Sequence, residues 1–90
     1  MALLPPMTNL QAFEAVARRR SFAFAAAELH LTASAISHQV ARLESDLGVR
    51  LFERSAHGVR LSTAGEQYLE RVAGALSAIS AATGARTGTR

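Results

Sequence analysis

The chain contains 90 residues, 49% of them hydrophobic, and 19 of the hydrophobic residues are alanine. This length supports a single small core, because domains usually have ~100–150 residues. The net charge of +3, with arginine as the only basic residue type apart from histidine, permits nucleic-acid binding without requiring it. The absence of cysteine excludes disulfides and zinc fingers, and no apolar run approaches the ~20 residues that cross a bilayer. We therefore expect a cytoplasmic protein with no membrane partner.

The first predicted helix follows an extended lead-in. Residues 1–7 contain two adjacent prolines, which favour extended backbone. Thr8 and Gln11 have the spacing of a capping box, and apolar residues then recur at helical intervals, so we predict a helix over about 8–19. The cluster Arg18-Arg19-Arg20 lies in its last turn, where it favours the negative end of the helix dipole. Contact with phosphate is the alternative for this cluster.

Two further helices are predicted with a short turn between them. Ser21 is a suitable N-cap for a second, alanine-rich helix over Phe22–His30, and Thr32 is a suitable N-cap for a third. Gly48 stands where a glycine commonly ends a helix. The apolar positions of the third helix are Ile36, Val40, Leu43 and Leu47. Two helices joined by a turn of about three residues are typical of a helix-turn-helix.

The periodicity changes after the third helix. Val49 and Leu51, and then Val59 and Leu61, alternate with arginine, and residues 55–58 have the composition of a turn. This pattern predicts a short two-stranded hairpin, or wing, which would close a DNA-binding unit over residues 8–61.

A long fourth helix is predicted over residues 62–83. Ser62 and Thr63 supply N-cap hydroxyls. Apolar and small residues then follow a heptad spacing, which is typical of a dimer seam. The members of this seam are Gly65, Leu69, Val72, Leu76, Ile79 and Thr83, and the predicted dimerisation residues are Leu69, Val72, Leu76 and Ile79. Residues 84–90 are predicted to form a flexible tail.

The outward face of the third helix carries the groups that can read DNA. Ser37, His38 and Gln39 can hydrogen-bond base edges in the major groove, whereas Ser34 and Arg42 suit phosphates. The predicted DNA-binding residues of this helix are Thr32, Ala33, Ser34, Ser37, His38, Gln39 and Arg42. An ordinary solvated helix face is the alternative interpretation.

The hairpin adds basic groups beside this helix. Arg54 and Arg60 flank the turn and His57 lies at its tip, so we predict that all three contact the DNA backbone or the adjoining minor groove. A solvated basic hairpin is the alternative. Glu44 and Asp46 repel phosphate and are expected to mark where the DNA is no longer close.

Catalysis and metal binding have no supporting pattern. The three histidines, His30, His38 and His57, have no partner histidine three or four residues away, and no acidic pair shares a tight motif. Ser37 and His38 are adjacent in a helix and point about 100° apart, so they cannot act as nucleophile and base. We expect neither an enzyme nor a cofactor.

Several segments of the chain together resemble one known family. They are Leu10-Gln11-Ala12-Phe13, Ser21-Phe22, Ala25-Ala26-Ala27-Glu28-Leu29, Leu31 to Val40, Leu43-Glu44, Leu47 to Arg54 and Leu61-Ser62-Thr63-Ala64-Gly65. In combination, over residues 5 to about 83, they closely resemble the N-terminal domain of LysR-type transcriptional regulators. Pro5-Pro6 with Ser37-His38-Gln39 is most similar to the branch that contains the glycine-cleavage and β-lactamase regulators.

The resemblance implies a fold and a function. The fold would be mainly α, with a winged helix-turn-helix of three helices and a short two-stranded wing, followed by a long linker helix that forms a dimer. The function would be regulation of transcription by binding an interrupted palindrome in double-stranded DNA. Family members often have glutamine where Ala33 stands and arginine where His38 stands, and Ser62 replaces the usual threonine. The first two departures reduce the expected direct readout of bases.

The family's effector-binding domain, a two-lobed α/β module, is expected to be absent from these 90 residues. A small-molecule effector, and any oligomer beyond the homodimer, is therefore expected only if a C-terminal domain follows. Two hypotheses remain. The chain is either a sequence-specific, dimeric DNA-binding domain or a dimerisation module that pairs with a full-length regulator without useful DNA binding of its own.

Overall fold

The computed structural model describes residues 4–87 and contains helices and one small sheet. The elements are α1 (Met7–Arg19), α2 (Phe22–Leu29), α3 (Ala33–Leu47), β1 (Phe52–Ser55), β2 (Gly58–Leu61) and α4 (Thr63–Thr87). The predicted mainly α architecture, a helix-turn-helix with a two-stranded wing and a long fourth helix, is confirmed.

The start of α1 differs from the prediction. The helix begins at Met7, which therefore belongs to the helix and not to the lead-in, and the capping box predicted from Thr8 and Gln11 is wrong. Pro6 occupies the N-cap position with φ −56° and ψ 139°, and no side chain caps the helix. Its carbonyl oxygen accepts a hydrogen bond from the Asn9 N–H at 3.0 Å. The proline backbone thus orients the first turn without a capping hydroxyl.

The caps of α2 and α3 follow the sequence prediction. The Ser21 hydroxyl accepts a hydrogen bond from the Phe24 N–H at 3.0 Å, and the Thr32 hydroxyl accepts one of 3.0 Å from the N–H three residues later. Gly48 ends α3 in the left-handed conformation with φ 74°. The last residue of α2 is Leu29, one residue before the predicted end, and His30 caps the helix in the same conformation with φ 60°.

The core lies where α1, α2, α3, the start of the wing and the first half of α4 meet. Its large and fully buried side chains are Phe13, Val16, Ile36, Leu43 and Leu51. Of the four positions predicted to face inward on α3, Leu47 does not follow the pattern, because it is 37% exposed in the last turn, beyond the edge of the core.

The wing begins later than predicted. Val49 and Leu51 precede β1, which starts at Phe52. The Glu44 carboxylate of α3 accepts hydrogen bonds from the Leu51 and Phe52 N–H groups at 2.8 and 3.3 Å. The Leu51 carbonyl accepts a bond of 2.9 Å from the Ser62 N–H. These bonds replace strand pairing for the segment between α3 and β1.

The strands of the wing are antiparallel. Phe52 pairs with Leu61 and Ser55 with Gly58, so the register places residues 52 and 54 on one face and residue 53 on the other.

The fourth helix is longer than predicted. Ser62 is its N-cap, since its hydroxyl accepts a hydrogen bond of 2.9 Å from the Gly65 N–H. The helix continues to Thr87, so the predicted end at 83 and the predicted flexible tail are wrong for residues 84–87. The alanines around Gly84 favour continuation of the helix. Residues 1–3 of the lead-in and 88–90 of the tail lie outside the described residues. None of the helices described is long and apolar enough to span a bilayer.

Candidate nucleic-acid interface

The first two turns of α3 present an exposed polar surface. Thr32, Ala33, Ser34 and His38 are exposed, and Ser37 is half-buried beside them. We call these five residues the recognition face. The Thr32 hydroxyl is engaged by the helix N-terminus, which leaves Ser34, Ser37 and His38 as the polar side chains directed outward. The recognition face contains no carboxylate and no arginine, and its groups can both donate and accept hydrogen bonds.

Gln39 occupies a different environment from its neighbours. It is half-buried, and its Oε1 atom is buried with no hydrogen-bond partner among the described residues. A buried acceptor without a hydrogen-bond partner is unfavourable. Rotation of the Gln39 amide toward a new donor would therefore lower the free energy. The contact of Gln39 with a base stays a prediction.

The second half of α3 carries one arginine and two acids. Arg42 is exposed, and its guanidinium lies 3.8 Å from the carboxylate of Asp46 one turn later. Glu44 turns away from the recognition face and binds the backbone at the start of the wing. Sequence reasoning assigned Glu44 only a repulsive role, because nothing in the pattern shows that the chain returns to it seven residues later.

The two arginines of the wing lie on opposite faces. Arg54 shares a face with the buried Phe52, and its guanidinium lies over the Phe22 ring of α2, with 4.3 Å between Cζ and the ring centroid. Arg60 points to the other face and forms an ion pair of 3.2 Å with Glu53. Among the residues that the structure describes, the wing therefore offers one arginine without a carboxylate partner and one with such a partner.

The tip of the wing is exposed. Its turn places His57 away from the protein, and the His57 backbone N–H donates a hydrogen bond of 3.2 Å to the Ser55 hydroxyl. The imidazole is therefore free to approach a ligand from the tip.

Two arginines of the cluster at the end of α1 form ion pairs with carboxylates of the protein itself. Arg18 forms ion pairs with Glu14 and Glu28 at 2.9 and 2.6 Å, and Arg19 forms one with Glu28 at 2.8 Å. We call these four residues the corner network. Hydrogen bonds donated by Arg18, which has the larger effect, and by Arg19 lower the pKa of Glu28 to about 2. The hydrogen bonds that Arg18 donates to Glu28 and Glu14 raise the pKa of Arg18. Arg20, the third of the cluster, is the left-handed C-cap of α1.

The predicted dimerisation residues differ in their surroundings. Val72 is 7% exposed and belongs to the core, whereas Leu69 and Leu76 are half-buried at its edge. Ile79 is 50% exposed. An apolar groove beside Leu76 and Ile79 also contains Met7 and Leu29 of the neighbouring helices.

Gly65, which has the heptad spacing of the seam, packs on its own domain. A Cβ atom at this position would overlap the Leu51 carbonyl oxygen. The close approach of α4 to the segment before β1 thus requires glycine, and the sequence pattern gave no signal that separated this role from a place in the seam.

Comparison with known proteins identifies the family. The model of the family described as "Bacterial regulatory helix-turn-helix protein, lysR family" matches residues 7–66. The chain is 49% identical over 67 residues to the HTH-type transcriptional regulator PerR of Escherichia coli (strain K12), covering 74% of this chain and 23% of PerR. It is 45% identical over 65 residues to the glycine cleavage system transcriptional activator of the same strain, covering 72% and 21%. The chain therefore spans about a quarter of the length of these curated relatives.

A solved structure shows the same fold. The crystal structure of the CbnR_DBD-DNA complex matches with a TM-score of 0.77 and 39% sequence identity, over 89% of this chain and 91% of that one. The similarity extends over helices and wing together, since most of both chains is covered.

Proposed function

Since the chain belongs to the lysR family of bacterial regulatory helix-turn-helix proteins, we propose that it binds double-stranded DNA with α3 in the major groove and the wing on the flanking backbone. The observation that carries this proposal is the recognition face. Hydroxyl and imidazole groups without a carboxylate among them are exposed on the first two turns of a helix. A helix can enter the major groove when its outward turns carry such groups.

The arrangement of charge supports the same orientation. The acid nearest to the recognition face along α3 is Glu44, and its carboxylate is held by the backbone before β1. Arg42 lies one turn after His38 on α3, and the exposed Arg54 of the wing lies over Phe22 of α2. Phosphate contacts from arginine fix the position of a protein on DNA, whereas base contacts supply the sequence preference.

We propose further that the DNA-binding species is a homodimer joined through α4. The half-exposed Ile79 and the groove beside Leu76 favour this, because an apolar surface of this kind is more stable when a second helix covers it. A twofold axis between the domains requires an interrupted palindrome with half-sites separated by whole helical turns of ~34 Å each. The chain would then act as the DNA-binding part of a transcriptional regulator.

Selection from a pool of random duplexes tests this function without knowledge of the target gene. The purified chain is expected to enrich an inverted repeat with a fixed separation between half-sites. Enrichment of a single half-site would retain DNA binding and contradict the dimer. Failure to enrich any sequence would contradict sequence-specific recognition.

A second candidate function is supported by the corner network. Glu14 and Glu28 pair with Arg18 and Arg19, so two of the ten arginines are engaged within a protein whose net charge is only +3. Such a chain could pair with a full-length regulator and bind DNA poorly itself. A salt titration separates the two functions, because the logarithm of the affinity for DNA falls by ~0.9 per phosphate neutralised for each unit of log salt. An affinity for DNA that does not change with the salt concentration would favour the second function.

A further inference from the structure

The wing directs the exposed side chain of Arg54 toward α2. In the antiparallel register, Arg54 lies two residues after Phe52 on the same face of the hairpin, and Phe52 is buried in the core. Arg60 belongs to the opposite face, opposite Glu53. The alternation of the strand therefore brings the Arg54 side chain over α2, where Phe22 is the first helical residue.

A chain of aromatic contacts connects Arg54 with the centre of the domain. The Phe22 ring meets the Phe52 ring edge-on, with centroids 6.1 Å apart, and the Phe52 ring is 5.4 Å from the Phe13 ring. Phe13 is completely buried. Phe22 thus packs against Phe52, and Phe52 packs against Phe13. The Phe22 ring that contacts Arg54 therefore has a fixed position relative to the core.

Arg54 lies over an aromatic ring and remains exposed to solvent. Its Cζ lies 4.3 Å from the Phe22 centroid, within the range of a cation–π interaction. Arg18, Arg19, Arg42 and Arg60 each form at least one ion pair with a carboxylate. Among residues 4–84, Arg54 forms none, as is also true of Arg20, Arg50 and Arg71, and Arg54 is the one that lies over an aromatic ring. A guanidinium that stacks through its flat face keeps its N–H donors at the edge, where a phosphate can accept them.

We propose that Phe22 is a positioning residue for DNA binding, which holds the Arg54 guanidinium ready to contact a backbone phosphate. This inference rests on the proposed function of the chain. A long arginine side chain loses conformational entropy when it binds a phosphate. A ring that already restricts the side chain in the free protein lowers the entropy lost on binding. Phe22 therefore contributes to affinity for DNA of any sequence without touching the DNA.

A double-mutant cycle on Phe22 and Arg54 tests the proposal. Affinity for a selected duplex and a scrambled duplex is measured over a range of salt for the wild type, Phe22→Leu, Arg54→Ala and the double variant. Phe22→Leu is expected to weaken binding to both duplexes about two- to fivefold, the size of an exposed cation–π contact. Arg54→Ala should reduce the salt slope by about 0.9. Once Arg54 is absent, Phe22→Leu should have no further effect on affinity.

Two controls separate positioning from packing. Phe22→Tyr retains the ring face and should restore affinity, whereas pentafluorophenylalanine at position 22 keeps the ring shape, reverses its quadrupole and should repeat the loss seen with Phe22→Leu. Because the fluorinated ring is nearly unchanged in size, it gives a result even if Phe22→Leu unfolds. An equal loss with and without Arg54, or unaltered affinity with the fluorinated ring, would overturn the proposal. If the affinity of the wild type for DNA did not change with the salt concentration, this result would instead contradict the proposed function itself.

Discussion

The two halves of α4 share one spacing of apolar residues and differ in what surrounds them. In the first half, Gly65 packs against the backbone of Leu51, and Val72 lies in the core. In the second half, which we count from Gly74 onward, Ile79 is half-exposed, and Gly74 has no neighbour within 4 Å of a Cβ position. The first half of the helix thus packs into the domain, whereas the second half leaves a large apolar side chain half-exposed.

The largest effect is expected from charges in the second half of α4. Leu76→Glu with Ile79→Glu would place unpaired carboxylates in the proposed seam and should weaken dimerisation on the order of 100-fold, since burying unpaired charge costs several kcal/mol. Sedimentation over a range of concentrations measures the association. The variant should remain folded and bind DNA weakly.

The matched control adds the same charges to the other side of the helix. Ala78→Glu with Ala81→Glu has the same three-residue spacing on exposed positions, and this variant should dimerise like the wild type. Ile79→Glu alone keeps the test valid if the loss of Leu76 unfolds the domain, because Ile79 is half-exposed. A wild type that stays monomeric at every concentration, or a control that dissociates as readily, would contradict the seam.

The next effect concerns the first half of α4. Gly65→Ala should lower the free energy of unfolding by about 1–3 kcal/mol, because the added methyl group overlaps the carbonyl oxygen of Leu51 and the backbone must move. Chemical denaturation of the two proteins measures the difference. A stability equal to that of the wild type would show that α4 can move away from the wing at no cost.

The same substitution in the second half should have the opposite sign. Gly74→Ala meets no atom within 4 Å, so the higher helix propensity of alanine should raise the free energy of unfolding by about 1 kcal/mol. The measurement is again chemical denaturation. A loss of stability or of dimerisation in this variant would mean that Gly74 lies in the contact with a partner.

The smallest effect is expected at the corner network, which lies beside the second half of α4. The pKa of Glu28 is about 2 when folded, below its ordinary 4.5, so its contribution to stability is present above pH 4.5 and is lost as the pH falls toward 2. Glu28→Gln should therefore be less stable than the wild type at pH 6 and equal to it near pH 2. The difference should be small, because exposed ion pairs contribute little. A difference that does not change with pH would show that the carboxylate charge is unimportant.

Local sequence signals predicted most of the fold. Ser21 and Thr32 cap helices because a hydroxyl before an apolar run satisfies a free N–H, and Gly48 ends α3 because it tolerates positive φ. The capping box at Thr8 failed because the carbonyl of Pro6 already receives the N–H groups of the first turn. The sequence pattern alone does not show which of two possible N-caps, Thr8 or Pro6, the helix adopts.

The candidate site was predictable in its location and not in its contacts. The phase of Ile36 and Val40 fixed which side of α3 is exposed, so Ser34 and His38 were placed correctly on the surface. The bond from Glu44 to the wing could not be found in this way. It joins residues that approach only after the core has formed.

The pairing of Arg54 with Phe22 has the same origin. The two residues are more than thirty positions apart, and their contact depends on the register of the wing. The corner network likewise joins the end of α1 to Glu28 on α2, which periodicity within a single helix cannot show.

The central claim is that α3 reads bases through its recognition face, and two variants of this helix test it most directly. Affinities of the wild type, His38→Ala and Arg42→Ala are measured on a selected duplex and on a scrambled one. His38→Ala should weaken binding to the selected duplex by ~1–3 kcal/mol, the usual value of a good base contact, and leave the scrambled duplex unaffected. Arg42→Ala should weaken binding to both duplexes alike. Equal losses on both duplexes for His38→Ala would contradict base reading by α3.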